Sequence, residues 1–330
     1  MLVLVTGASG FLGARVAKLL DDRGVETRVL VRRGRDLRHL SGTRLQIIES
    51  DLSNPESLSR AVRGVSHIIH CAACSTDWAP WGVFFDSNVR GVENLVRAAA
   101  GESRLQRFLH VSTTDVYGYP EHPCDESHPL ADVGLPYNRS KCMGEERVWG
   151  GAREFGLPIT VVRPATIYGP RGKAFVIDIT KLIRQRTMAV IDGGLRPGGF
   201  CYVDNAANAI IEAATHARTQ GHAYNLADAT GVTWREYVDA LADALDQRRP
   251  WINLPSRLAF PLARATESAH KHLHLSGSPL LTRHAIFLLS RNQEYPIENA
   301  RRDFGFAPEI SFAEGMARTA AWLRSELPGT

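Results

Sequence analysis

The first half of the chain alternates short, continuously apolar, β-branched runs with longer segments whose apolar residues return every three or four positions. The short runs are LVLVT (2–6), TRVLV (27–31), LQIIE (45–49), HIIHC (67–71), RFLHVS (107–112) and ITVVR (159–163). A run with no polar face predicts a strand covered on both sides, and strands separated by helical stretches predict a parallel sheet. The intervening helices are expected at about Phe11 to Arg23, Pro55 to Arg63, Phe84 to Ala100 and Tyr137 to Phe155. This is the pattern of an α/β fold, a Rossmann doubly wound parallel sheet with helices on both faces.

After Pro164 the rhythm breaks, with Gly and Pro punctuation at YGPRGK (168–173) and DGGLRPGG (192–199). The chain is expected to leave the main sheet there and to return at HAYNLAD (222–228), a last strand, before helices from Trp234 onward. Two domains follow from this: a sheet domain of residues 1–167 and 200–228, and a smaller, discontinuous one of 168–199 and 229–330. There is no internal repeat and no low-complexity segment.

Composition narrows the class of partner. The 330 residues are 44% hydrophobic and 22% charged, as in an ordinary globular protein. The net charge of +4 (39 Lys and Arg against 35 Asp and Glu) is spread without basic runs, which argues against nucleic acid and for a small molecule. Residues 2–6 read directly as a strand, so no signal peptide is expected. Five cysteines suggest no disulfide framework, and no segment approaches the roughly 20 apolar residues of a transmembrane helix. A cytoplasmic location is expected. LAFPLA (258–263) and the stretch around Ile286 are interrupted by Arg257, Arg264 and Arg291, which suits core helices or the lining of an apolar pocket.

The first strand runs into Thr6-Gly7-Ala8-Ser9-Gly10-Phe11-Leu12-Gly13, a G-x-x-G-x-x-G spacing that opens a helix. Gly7 permits the tight turn, Gly10 lets the backbone approach a pyrophosphate, and Gly13 lets the helix pack close. The anion then sits on unpaired N–H groups at the helix N-terminus. This makes the sheet domain the dinucleotide-binding one and leaves the other for substrate. The second strand ends in Val31-Arg32-Arg33-Gly34, where an NAD enzyme usually places an acid for the ribose 2′-OH. A guanidinium there offers charge-assisted hydrogen bonds to a 2′-phosphate, so NADP(H) is expected in preference to NAD(H), against the alternative of solvated loop charges. Asp51 and Leu52, after the third strand, are placed to meet the adenine; an ordinary loop or helix-cap Asp fits the same spacing.

The fifth strand ends in Ser112-Thr113-Thr114-Asp115, and Tyr137-Asn138-Arg139-Ser140-Lys141 follows. Residues i and i+4 share a helix face, so Lys141 is expected beside Tyr137, lowering the phenol's pKa toward use as a general acid/base. The Thr113 hydroxyl at a strand end is placed to bond a substrate carbonyl oxygen as charge develops.

These residues resemble the extended short-chain dehydrogenase/reductase family, within the NAD(P)-dependent epimerase/dehydratase superfamily. The resemblance covers nearly the whole chain: the glycine loop, HCAA (70–73), Asn88-Val89-Arg90-Gly91, STTDVYG (112–118), YNRSK (137–141), RPATIYGP (163–170) and YVDNAANA (202–209). It implies Thr113 as the substrate-orienting hydroxyl, Tyr137 as acid/base, Lys141 as its activator and Asn88 as support for the proton path, although a helix-capping or kink asparagine is compatible with that. It places Cys71, Ala72 and Ala73 beside the coenzyme, and implicates the backbone of Pro164, Ala165 and Ile167 in holding the nicotinamide carboxamide. It also implies a homodimer built through the helices beginning near Phe84 and Tyr137.

Nucleotide-sugar members of the family carry an Arg-Asp-aromatic-x-His-Val signature, whereas this chain has Gly198-Gly199-Phe200-Cys201-Tyr202-Val203-Asp204-Asn205. The diphosphate-gripping Arg is absent, and Thr114-Asp115 replaces the Asp-Glu pair of the dehydratases. This form, with the tail LTRHAIFLLSRNQEYPIENARRDFGFAPEISFAEGM (281–316), is similar to the 3β-hydroxysteroid dehydrogenase-like and 2-alkyl-3-oxoalkanoate reductase-like branch. Trp78, Trp81, Thr114, Asp115 and Tyr202 are the candidate substrate contacts. Phe84 and Phe85 lie nearby but fit packing equally well.

Two further patterns carry less. Cys71-Ala72-Ala73-Cys74 spells C-x-x-C without a second pair at metal-ligand spacing, and His270, His272 and His274 alternate without a partner acid, so no metal is expected. The expected activity is NADP(H)-dependent reduction of a ketone, or oxidation of the corresponding alcohol, on a hydrophobic substrate such as a β-keto acid, sterol-like or polyketide-like compound. An epimerase or dehydratase that retains its coenzyme, and a non-catalytic coenzyme-binding regulator, are the alternatives.

Overall fold

The computed structural model describes residues 1–228, 231–273, 275 and 277–326. Its strands are β1 (Leu2–Thr6), β2 (Glu26–Val31), β3 (Gln46–Glu49), β4 (His67–His70), β5 (Arg107–Val111), β6 (Ile159–Pro164), β7 (Thr166–Tyr168), β8 (Ala189–Ile191), β9 (Phe200–Tyr202), β10 (Ala223–Leu226) and β11 (Ile252–Leu254). The sheet domain carries helices α1 (Phe11–Asp22), α2 (Pro55–Val62), α3 (Trp81–Phe85), α4 (Gly91–Ala100) and α5 (Pro136–Phe155). Then come α6 (Ile179–Arg184), α7 (Val203–Thr215), α8 (Trp234–Ala244), α9 (Ser256–His272), α10 (Arg283–Ser290), α11 (Glu298–Phe304) and α12 (Phe312–Glu326).

Seven strands form one parallel sheet in the order β10-β6-β5-β4-β1-β2-β3. The chain order reverses between β1 and β4, which places the topological switch point there and ligand contacts at the strands' C-terminal ends. Alternating side chains go to opposite faces. Val3, Val5, Ile69 and Leu109 pack under α1 and α7, while Leu4, Ile68 and Phe108 pack under α2, α4 and α5. Each of these side chains is buried, a gain of about 1.5–3 kcal/mol apiece relative to exposure.

The seven expected strands appear with ends shifted by no more than two residues, and three of the four expected helices likewise. The fourth differs: it starts at Trp81, and a wide turn at Asp86–Arg90 separates α3 from α4. The Asn88 side chain, spent on groups outside the helix, marks this turn. Two short parallel ladders, β7 with β9 and β8 with β11, went unanticipated because three residues are too few to display a period. A separate aromatic core of Tyr168, Phe200, Tyr202, Trp234 and Tyr237 joins β7, β9 and α8. No helix among the described residues is long and apolar enough to cross a membrane.

Candidate active site

The glycine turn closes against the end of the neighbouring strand. Gly7 has φ +75, and a Cβ there would lie 2.7 Å from the Ala72 backbone nitrogen. A Cβ on Gly13 would lie 2.5 Å from the Gly7 carbonyl oxygen, so only glycine lets α1 begin this close to the turn. Gly10, the N-cap of α1, supplies no side chain to its first turn, and the N–H groups there stay available to an anion. Thr6 stitches the turn to β4: its Oγ1 lies 2.6 Å from His70 Nδ1 and accepts the Ala72 N–H at 3.2 Å. Ser9, Phe11 and Leu12 follow directly, with Phe11 and Leu12 packing on the aromatic core.

At the neighbouring edge Arg32 and Arg33 are exposed, and Arg32 is close enough to Asp51 and Cys74 to act on both. Asp51 Oδ1 accepts the Ser53 N–H at 2.8 Å, and this bond, more than Arg32, holds its carboxyl below the usual range. The Leu52 carbonyl accepts from Asn94 Nδ2 at 2.8 Å, which anchors the loop to α4. Across the cleft, Ala165 donates its N–H to Leu226 O at 2.9 Å, while Ile167 pairs with Cys201. The Ala165 N–H is therefore committed within the sheet. Pro164 ends β6 beside it. Cys71 is pushed up to about 12, by burial first, and burial also raises Cys74. Both thiols thus keep their protons at neutral pH, without thiolate character.

Thr113 leaves β5 as the N-cap of a tight turn, Thr114–Tyr117. Its Oγ1 accepts the Asp115 N–H and donates to Asp115 Oδ1, both at 3.3 Å. Helix α5 is fastened to this turn by Asn138, whose Nδ2 donates to Asp115 O at 2.7 Å and Ala131 O at 2.9 Å. That clamp brings the start of α5, and with it Tyr137, up to the turn that begins at Thr113. Asn88 accepts the Cys74 N–H at 2.7 Å and donates to Ser140 Oγ at 2.9 Å, so it ties the loop after β4 to α5. Its place in the wide turn matches the kink reading.

One electrostatic expectation is corrected. The Tyr137 phenol lies above its ordinary value, because burial disfavours phenolate and the Asp115 charge adds to that, outweighing the opposing effect of the nearby Thr113 hydroxyl. Lys141 donates instead to Val111 O at 2.8 Å. Burial lowers it to about 8, against the opposing pull of Glu145. Spacing on a helix puts two side chains on one face, but where a flexible ammonium points depends on the acceptors within reach. Behind Lys141, His70 and His110 lie with ring centroids 5.3 Å apart. Burial and then Lys141 hold His70 down at about 3 and His110 well below its ordinary value, so both are neutral.

The substrate candidates separate. Thr114 and Asp115 are buried in the turn itself. Trp78 reaches α9, edge-on to His270 and under the Lys271 ammonium at 5.6 Å. Trp81 is exposed beneath Arg139, and Phe84, fully buried, packs on Tyr137. Tyr202 lies away from this group: buried against Tyr168, it lines a cleft over α1 with Arg15, Lys18 and Arg318. His272 bonds Ser268 O, and His274 lies outside the described residues. Sequence reasoning missed His284 of α10. Its Nε2 lies 2.7 Å from Asp115 Oδ2, and its ring centroid 5.5 Å from that of Tyr137. Its only signal was a polar residue inside the apolar LTRHAIFLL stretch.

Residues 3–227 match a family described as the NAD dependent epimerase/dehydratase family. The chain is 30% identical over 330 residues to a 2-alkyl-3-oxoalkanoate reductase of Stenotrophomonas maltophilia (strain K279a), covering 97% of this chain and 99% of that one. It is 31% identical over 319 residues to a 4-hydroxy-2-methyl-3-oxo-4-farnesyl-3,4-dihydroquinoline-1-oxide ketoreductase of Stigmatella aurantiaca, covering 96% and 95%. Among solved structures, the crystal structure of gox2253 superposes with a TM-score of 0.81 at 26% identity, over 98% of each chain.

Proposed function

We propose, since the chain belongs to the NAD dependent epimerase/dehydratase family, that it is an NADP(H)-dependent oxidoreductase reducing a ketone on a hydrophobic substrate, or oxidising the corresponding secondary alcohol. The observation that carries this reading is the convergence of Thr113, Tyr137 and Lys141 on the C-terminal edge of the sheet that also presents the Gly7 to Gly13 turn. The turn fits a dinucleotide, since a Cβ at Gly7 or Gly13 would collide with backbone. The relatives' names, a 3-oxoalkanoate reductase and a ketoreductase, support the ketone.

In this reading Thr6, Gly7, Ser9, Gly10, Phe11, Leu12 and Gly13 hold the pyrophosphate end, Asp51 and Leu52 the adenine, and Cys71 to Ala73 with Pro164, Ala165 and Ile167 the nicotinamide end. The coenzyme, when bound, supplies the hydride. Thr113 turns its hydroxyl from Asp115 Oδ1 to the substrate carbonyl oxygen, and Tyr137 gives its phenolic proton to that oxygen as it becomes an alcohol. A phenol kept above its ordinary pKa holds the proton that reduction needs. Lys141 contributes a buried cation, and Asn88 holds the loop after β4 in register. Residues 1–167 with 200–228 bind coenzyme, and 168–199 with 229–330 enclose the substrate. The chain is read as a cytoplasmic homodimer, with Trp78 and Trp81 at the mouth of an apolar pocket.

The test is coenzyme oxidation by purified protein with NADPH and NADH over a series of hydrophobic ketones. NADPH is expected to be preferred. Arg32→Asp places a carboxylate where the 2′-phosphate binds, and the NADPH-over-NADH ratio of kcat/KM should fall roughly 10- to 100-fold, the worth of one charge-assisted hydrogen bond. An unaltered ratio assigns Arg32 to solvent.

The pH profile gives a second check. Lys141 is charged below about pH 8 and neutral above it. The kcat/KM for ketone reduction, which reports the free enzyme, is expected to decline as pH rises through about 8, well before the phenol titrates. A profile flat through that region means that the Lys141 charge is not required.

A further inference from the structure

Helix α10 is fastened at its start from three directions. Thr282 Oγ1 donates to Asp77 Oδ2 at 2.9 Å, in the loop after β4. The Arg283 N–H and guanidinium both donate to Glu267 of α9, each at 2.7 Å. His284 meets Asp115 Oδ2 at 2.7 Å, beyond the end of β5. Asp115 is itself held by the Tyr119 hydroxyl at 2.8 Å and by Thr113. The imidazole is thus a placed group, its side chain 11% exposed, and not a side chain that fell inward.

Its second nitrogen is unspent. With Nε2 turned to Asp115, Nδ1 is buried and has no hydrogen-bond partner among the described residues. An unmade buried hydrogen bond is expensive, and a ligand that supplies the partner removes that penalty. The ring lies against Tyr137 and Tyr119, so a ligand oxygen that reaches Nδ1 belongs to the molecule whose carbonyl Tyr137 serves. With Nε2–H given to Asp115, Nδ1 pairs with a carboxyl group whichever of the two carries the shared proton.

We propose that His284, oriented by Asp115, is the specificity-determining residue that receives a carboxylate carried by the substrate close to its ketone. The inference rests on the ketoreductase reading. In a 3-oxo acid the carboxyl carbon is two bonds from the ketone carbon, which allows one substrate to engage Tyr137 and the neighbouring imidazole together. Asp115 is a positioning residue: it fixes which nitrogen faces the substrate.

The experiment compares kcat/KM for a long-chain 3-oxo acid and its methyl ester, with NADPH, in the wild type and in His284→Gln, His284→Phe and Asp115→Asn. The wild type is expected to favour the acid by roughly 10- to 100-fold, the worth of one charge-assisted hydrogen bond. His284→Phe should bring the acid-to-ester ratio close to one, and His284→Gln and Asp115→Asn should give intermediate ratios. A wild type with no preference overturns the proposal, whatever the folding of the variants. So does a loss in His284→Phe that is equal for acid and ester, which would assign the ring to the shared carbonyl chemistry or to packing. Should neither compound consume coenzyme, the ketoreductase reading fails separately. Calorimetric binding of a long-chain fatty acid against its methyl ester then decides. Tighter binding of the acid that is lost in His284→Phe supports the carboxylate site, and equal affinities overturn it.

Discussion

Replacing Tyr137 with Phe is expected to slow ketone reduction by about 10²- to 10⁴-fold, the usual contribution of a placed general acid. The substitution keeps the ring, and with it the contacts to Phe84 at 6.4 Å and His284 at 5.5 Å between centroids, so the site's shape survives. What disappears is the hydroxyl near Thr113, which in the proposed reaction gives its proton to the substrate oxygen. Single-turnover oxidation of bound NADPH isolates that step from product release. A variant that keeps more than roughly a tenth of the wild-type rate would move proton donation to another group, and His284, whose ring packs on Tyr137, is a candidate.

The largest expected loss of stability lies beneath the site. Arg163 of β6 meets Glu145 of α5 through Nη2 to Oε1 at 2.5 Å and Nε to Oε2 at 3.2 Å, with Glu145 fully buried. The guanidinium also donates to the Tyr117 hydroxyl at 2.8 Å, which in turn donates to Asn225 of β10 at 2.7 Å. Arg163→Met leaves a carboxylate uncompensated in the interior, and the expected cost is about 3–5 kcal/mol. Pairing it with Glu145→Leu should recover most of that loss, because the penalty comes from the stranded charge more than from the missing bond. Urea denaturation of the two variants and the wild type reads both numbers. A single variant as stable as the wild type would mean that water reaches Glu145.

Much of the sheet domain was legible because its signals are local. LVLVT and HIIHC have no polar face, which only a doubly covered strand tolerates, and both became central strands of the parallel sheet. The glycine spacing was legible for the same reason: Gly7 and Gly13 answer to collisions within one turn or with the next strand. The helix expected from Phe84 was read as a single element because apolar periodicity continues through it. The wide turn at Asp86–Arg90 accompanies the side-chain bonds of Asn88 to Cys74 and Ser140, partners that periodicity does not report. Tyr202 was legible as part of a motif but not as a location, since only the packing of β9 against Tyr168 says which cleft it faces.

The sequence by itself determined the fold class, the glycine turn, and the placing of Tyr137 and Lys141 on one helix, because each depends on neighbours a few residues apart and on fixed helical and strand repeats. The tertiary structure alone decided what surrounds that centre. It brought His284 onto Asp115 across 169 residues of chain, sent Lys141 to Val111, and closed the site around the Tyr137 phenol so that desolvation and the Asp115 charge raise it. Burial and through-space charge depend on every element that closes around a group, so a linear pattern names the participants but not the field in which they work.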